Sequence, residues 1–96
     1  MGQNLIVKFK KTHEFEGKQY EQVDLNQLND LKTADLIEAD AQFSAEGQFA
    51  VMNEMTTGYS MIIAAKVTQL PIEFYHSLPA KEGMKVKQVV MSFLND

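Results

Sequence analysis

The sequence has no cysteine and no arginine among its 96 residues. The first absence excludes disulfides, thiolate nucleophiles and every cysteine-based zinc or iron–sulfur site. The second removes the side chain best shaped to grip phosphate or guanine with two parallel hydrogen bonds. A chain of net charge −4 also gains little from releasing counterions. Nucleic acid is therefore not an expected partner. Long apolar runs are missing as well: the longest, Met61 to Ala65, is far short of the roughly 18 to 20 residues that cross a bilayer. Membrane is not an expected partner either. The stretch after Met1 alternates instead of showing the basic and apolar regions of a secretory signal, so cytoplasmic residence is the expectation.

Catalytic constellations are equally sparse. Glycines 17, 47, 58 and 83 stand alone, which gives neither a phosphate-cradling loop nor a dinucleotide fingerprint. Ser44, Ser60, Ser77 and Ser92 have no nucleophile-elbow context. His13 and His76 lack a histidine or acid at the three- or four-residue spacing of a ligand pair. Asp35 and Glu38 fall on one exposed helical flank, while Asp40 points elsewhere. No catalytic residue, cofactor site or metal site is expected, and a binding protein is favoured over an enzyme.

What the sequence does contain suits one small folded domain over 1–96: 45% of residues are apolar and 23% are charged. A domain this small buries a modest share of its surface, so self-association is a reasonable expectation. Charge is uneven. Met1 to His13 carries +3, Glu14 to Glu54 carries −8 and the remainder +1. The acidic middle has two readings, a solvated surface and a docking face for a basic partner.

Leu5, Val7 and Phe9 alternate with Ile6, Lys8 and Lys10, the period of a strand with one apolar face. A second strand is expected from Lys18 to Leu25, joined through Glu16-Gly17-Lys18 as a hairpin. Two strands alone are marginal in water, so the hairpin must lie on the rest of the chain. Beyond it, Leu25, Leu28 and Leu31 recur every three residues. A helix is expected to begin at Ala34 with Thr33 as its cap, Asp35 in its first turn, Leu36, Ala39 and Phe43 on one side and Gly47 at its end. Gln48 to Gly58 has no clean period, and Thr56-Thr57-Gly58 resembles a break. Tyr59 to Gln69 is apolar nearly all round, the mark of a central helix. Pro71 opens a short helix that Pro79 ends, and Val86, Val89, Val90, Phe93 and Leu94 space out a final amphipathic helix. The expected class is α+β: a β-hairpin over residues 1–25, then about four to five short helices over residues 26–96.

Six methionines invite two readings, adaptable core filler and a surface for apolar partners. Met61 belongs to the apolar run and so to the core. Met52 and Met55, with Phe49 and Tyr59, are the expected partner-contact residues.

This order of elements carries a pattern that resembles the phage tail assembly chaperones. The matching stretches are Gly17-Lys18-Gln19-Tyr20 through Val23-Asp24-Leu25, then Leu28, Leu31 and Thr33-Ala34-Asp35-Leu36. Further on come Tyr59 to Ala65, Leu70-Pro71-Ile72-Glu73, Leu78-Pro79 and the closing Val86 to Leu94. Nearly the whole chain is covered. The resemblance implies a protein of tailed phages or prophages that binds and solubilises the tape measure protein, a long helical client. It also implies homo-oligomers, help in recruiting the major tail protein of the tube, residence in the host bacterial cytoplasm and absence from the mature virion. A permanent tail or head–tail joining component and a regulatory protein-binding module are the competing readings.

Overall fold

The computed structural model describes residues 5–45 and 57–95. Strands β1 (Ile6–Phe15) and β2 (Lys18–Asp24) form an antiparallel two-stranded sheet. A 3-10 turn (Asn26–Asp30) follows, and then helices α1 (Thr33–Ala45), α2 (Thr57–Thr68), α3 (Ile72–His76) and α4 (Ala80–Leu94). The expected α+β order, hairpin first and helices after, is the one the chain adopts. At 35 × 34 × 20 Å the molecule is a slab whose thinnest dimension matches two packed layers.

The hairpin turns at Glu16 and Gly17, with φ of 50° and 81°. Positive φ at both central residues is the signature of the two-residue turn whose twist suits paired strands, and glycine meets it without steric penalty. Glu16 accepts the same backbone region at some strain. From that end Phe15 pairs with Lys18, Glu14 with Gln19 and His13 with Tyr20; at the far end Lys8 pairs with Gln22, Val7 with Val23 and Ile6 with Asp24. Between the two sets, residues 9–12 of β1 face Glu21 alone, so β1 bulges. The bulge resets β2: Val23 and Tyr20, three apart, both turn towards the helices, where unbroken pairing would have turned Tyr20 to solvent.

The leucines that recur every three residues are explained by the 3-10 turn. Three residues per turn place Leu25, Leu28 and Leu31 on one side, and the first two are fully buried. Backbone bonds from Leu28 to Leu25 and from Leu31 to Leu28, at 2.9 and 3.0 Å, hold that stagger.

Helix α1 begins at Thr33, one residue before the expected start, and Thr33 is not its cap. Lys32 occupies the cap position, and the Asp35 carboxylate reaches back to accept from the Lys32 backbone N–H at 3.0 Å. This is the acidic half of a capping box, and it also sets a negative charge against the positive end of the helix dipole. Ala39 and Phe43 are buried as the spacing predicted, and Leu36 packs partly against them. Gly47 lies outside the described residues, as does most of the stretch from Gln48. The break expected at Thr57-Gly58 is instead the first turn of α2.

Helix α2 is the core, with Tyr59 to Ala64 buried without interruption and Val67 buried a turn further on. The small side chains of Ser60 and Ala64, both fully buried, leave room for neighbouring elements to approach. Helices α1, α3 and α4 and the 3-10 turn all pack on it. Gln69, at φ 60°, ends the helix in the left-handed conformation, and Pro71 and Pro79 then act as caps of α3 and α4. In α4 only one stripe is deeply buried, centred on Val86 and Val90.

Hairpin and helices meet at Phe74, which is fully buried. The rings of Tyr20, Tyr75, Phe15 and His13 stand edge-on to it at centroid distances of 4.7, 5.0, 5.4 and 5.5 Å. In such edge-to-face pairs the positive edge of one ring meets the negative face of the other, which adds to the gain from burial. Ser77 continues the seam. Its hydroxyl donates to the Phe74 carbonyl at 2.8 Å, which leaves its oxygen to accept from His13 Nε2 at 2.9 Å. Beside it the Tyr75 hydroxyl donates to Thr68 Oγ1 at 2.7 Å, because the Thr68 hydroxyl itself donates to the Ala64 carbonyl at 2.7 Å.

Two predictions follow from this seam. Phe74→Ala removes the ring shared by hairpin and helices, and a loss of about 3–5 kcal/mol is expected in urea unfolding. Burial raises the Tyr75 phenol from 10.0 to about 12, against the smaller opposing effect of its bond to Thr68. Below pH 10 the phenol is neutral in both states and its contribution is complete. Between pH 10 and 12 only the unfolded phenol ionises, so about 1.4 kcal/mol of stability should be lost per pH unit. The stability difference between wild type and Tyr75→Phe should shrink across that window, as followed by unfolding at fixed pH.

Candidate interaction surface

Lysines far apart in sequence lie on two neighbouring elements. Lys8, Lys10 and Lys11 lie on β1, Lys81, Lys85 and Lys87 lie on α4, and α4 packs along β1. Only Glu14 and Glu82 oppose them on these two elements. Helix α1 carries Asp35, Glu38 and Asp40 with no lysine, although Glu38 pairs with Lys66 of α2, and Asp24 and Asp30 lie at the two ends of the 3-10 turn.

The joint between β1 and α4 is polar at its centre. Leu25 N–H donates to the Leu5 carbonyl at 2.8 Å, so odd-numbered residues at this end of β1 direct their backbone groups towards β2. Even-numbered residues direct theirs to the outer edge, where α4 meets them. Lys10 N–H donates to Glu82 Oε2 at 2.8 Å, and Lys85 Nζ donates to the Lys8 carbonyl at 3.0 Å. Lys85 Nζ also lies 2.9 Å from Glu82 Oε1, closing a clasp over the bulge where the ladder to β2 is interrupted. Glu82 is 8% exposed, covered by side chains at the surface rather than sunk in the core. The Lys10 N–H, with help from Lys85, holds its carboxyl below the ordinary value of 4.5, since these bonds outweigh desolvation.

Beside the clasp runs a groove of ≈ 460 Å³. Leu5 just before β1, Val7 of β1, and Val89 and Phe93 of α4 form its apolar lining, with Lys8 and Lys85 beside them. A second, smaller groove follows the opposite edge of the hairpin. Its walls include Tyr20, Val23, Val67 and Leu70, with Asp24 at the rim. It adjoins, through Gln27 and Val67, a depression bearing Asp30, Asp35 and Lys66. The two long edges of the hairpin thus differ in charge: lysines border one and aspartates the other. Two large apolar side chains stand out at the surface among the described residues, Ile37 of α1 at 63% and Met84 of α4 at 44%.

Of the residues expected to contact a partner, Phe49, Met52 and Met55 lie outside the described residues. Tyr59 is in the core, 3% exposed, with its ring edge-on to Phe43 at 6.0 Å and its hydroxyl 3.4 Å from the Leu36 carbonyl. It fastens α1 to α2, and contact with a partner would require that packing to open. Met61 is buried, as its place in the apolar run implied. Ile37 was missed by pattern reading although a signal existed. It lies off the stripe of Leu36, Ala39 and Phe43, so a straight helix must turn it away from the core. The groove had no such signal, because its walls come from opposite ends of the chain. Among the described residues no group of three or more histidines and carboxylates could hold a metal ion.

Comparison with known proteins finds no match to any family model, curated protein or solved structure.

A depressed carboxyl pKa favours the folded state above the unfolded value and is lost as pH falls through the folded one. Wild type should therefore exceed Glu82→Gln in stability at pH 7, and the gap should close as pH drops below 4.5. Urea unfolding of both proteins at a series of pH values checks this, and a gap independent of pH would show that the carboxylate charge does not hold the clasp.

Proposed function

We propose that this chain is a tail assembly chaperone of a tailed phage or prophage, which binds the tape measure protein, keeps it soluble and helps recruit the major tail protein. The observation that carries the reading is where the resembling residues fall. Gly17 makes the hairpin turn, Leu25 and Leu28 are fully buried in the 3-10 turn, Thr33 to Leu36 open α1, and Tyr59 to Ala64 form the centre of the core. Pro71 and Pro79 cap the last two helices, and Val86 and Val90 close the core. The pattern thus spans hairpin and helices together, and its order is the order of the fold.

The role is physically coherent. A long helical client presents apolar stripes that aggregate when unshielded, and a small acidic domain can cover a stripe while adding repulsive charge. One copy covers little of such a client, so many weakly bound copies would act together through avidity. Phe49, Met52 and Met55 are the contacts assigned to the client in this reading. Work of this kind belongs in the host bacterial cytoplasm before the virion is complete. No helix among the described residues is long and apolar enough to cross a membrane.

Coexpression with the tape measure protein encoded by the same genome should raise that protein's soluble yield and co-purify the two. The Met52→Asp, Met55→Asp double variant should abolish co-purification while its helical circular dichroism stays at the wild-type level. Unchanged client yield with no co-purification would overturn the reading.

A further inference from the structure

The two edges of the hairpin are finished differently. Along β1 the backbone groups that face away from β2 are met by α4, through Lys10 N–H to Glu82 and Lys85 to the Lys8 carbonyl. Along β2 nothing corresponds. Because Leu25 N–H donates to the Leu5 carbonyl, Leu25 and Val23 direct their backbone groups to β1, and Gln22 and Asp24 direct theirs away. Among the described residues no backbone or side-chain group bonds to those outward groups. The surface beside them is shaped for what such an edge accepts. Two strands span about 10 Å, less than a slab of 35 × 34 Å, so the helical layer extends past the hairpin. Val67 of α2 and Leu70 just after it, with Tyr20 and Val23, line a groove of ≈ 290 Å³ along this edge. Asp24 is the charged residue in its lining, and the adjoining depression carries Asp30.

We propose that the outer edge of β2 takes up an extended, basic segment of another protein as a third, antiparallel strand. Backbone groups presented at every second residue are met in full only by another strand, which selects the extended form. Alternate side chains of the added strand fall over Val67 and Leu70, which selects apolar residues at every second position. Charge selects the sign of the others. Asp24 accepts from the backbone N–H and Nδ2 of Asn26 at 2.9 and 2.7 Å, neutral donors that leave its charge uncompensated, and no ion pair among the described residues involves Asp24 or Asp30. Asp35 is tied to the Lys32 N–H and Lys66 to Glu38, so neither alters that balance. This site goes beyond the functional reading above and does not rest on it, since a helical client satisfies its own backbone and has none to offer a strand edge.

The probe is the peptide acetyl-Lys-Val-Lys-Val-Lys-Val-Lys-amide, as long as β2, labelled and titrated with the full chain by fluorescence anisotropy. A dissociation constant of about 10 to 100 µM is expected, and the peptide with glutamate in place of lysine should bind about tenfold more weakly or worse. Two further peptides carry N-methyl groups on the valines or on the inner lysines. In an added strand one set of N–H groups faces β2 and the other faces away, so one of the two should lose binding about tenfold and the other should keep most of it. By NMR the Gln22 and Asp24 amide protons should exchange at least about tenfold more slowly with the parent peptide bound. Gln22→Pro deletes an outward N–H and spares the ladder to β1, and should abolish binding; Asp30→Lys, at an exposed position, should weaken it about threefold with unchanged circular dichroism and carries the test if the proline disturbs the hairpin. No binding at about 1 mM peptide, or equal loss from both N-methylated peptides, overturns the proposal. So does a chain that sediments as a dimer without peptide with Gln22 and Asp24 already protected, because a second copy then holds the edge.

Discussion

A two-stranded sheet has two open edges and one apolar face, and the fold depends on how the helices deal with them. Phe74 takes the face. It stands in short α3, which Pro71 opens and Ser77 closes, and receives Phe15, Tyr20 and His13 from the hairpin. Glu82 and Lys85 take the β1 edge, at the place where the bulge leaves backbone groups without ladder partners. The bulge and the aromatic seam are linked, since the bulge is what turns Tyr20 towards Phe74. Without helices beside it the hairpin would have neither a buried face nor satisfied backbone, and the sheet would be marginal.

The same clasp sets the molecule's electrostatics. By bringing α4 against β1 it joins the lysines of the first strand to those of the last helix, and leaves the carboxylates of the 3-10 turn and α1 on the other elements. An acidic protein thereby acquires a basic edge with an apolar groove along it. Such an arrangement costs some self-repulsion among Lys8, Lys81 and Lys85, which Glu82 moderates from within.

Much of the architecture was legible because local patterns and global packing agree. Alternation marked β1, the single glycine of Glu16-Gly17-Lys18 marked the turn, and the uniformly apolar stretch from Tyr59 marked the helix that others surround. Where local reading slipped, a specific competitor prevailed. Asp35 supplied the cap of α1 through its carboxylate, which displaced the expected Thr33 hydroxyl. Tyr59 was read both as part of the central helix and as a partner contact; the first reading matches its place in the core, edge-on to Phe43.

Composition and periodicity by themselves determined the class of molecule: one α+β domain, hairpin before helices, without arginine-based or cysteine-based chemistry. These properties follow from residue types and from neighbours within a turn or two, which a sequence displays directly. Only the tertiary structure decided which charges lie on neighbouring elements, that β1 bulges and is clasped by α4, and that Ile37 and the groove face outwards. Those depend on residues some 70 positions apart, such as Lys10 and Glu82. Contacts at that separation are chosen by how whole faces pack, and no local period records the choice.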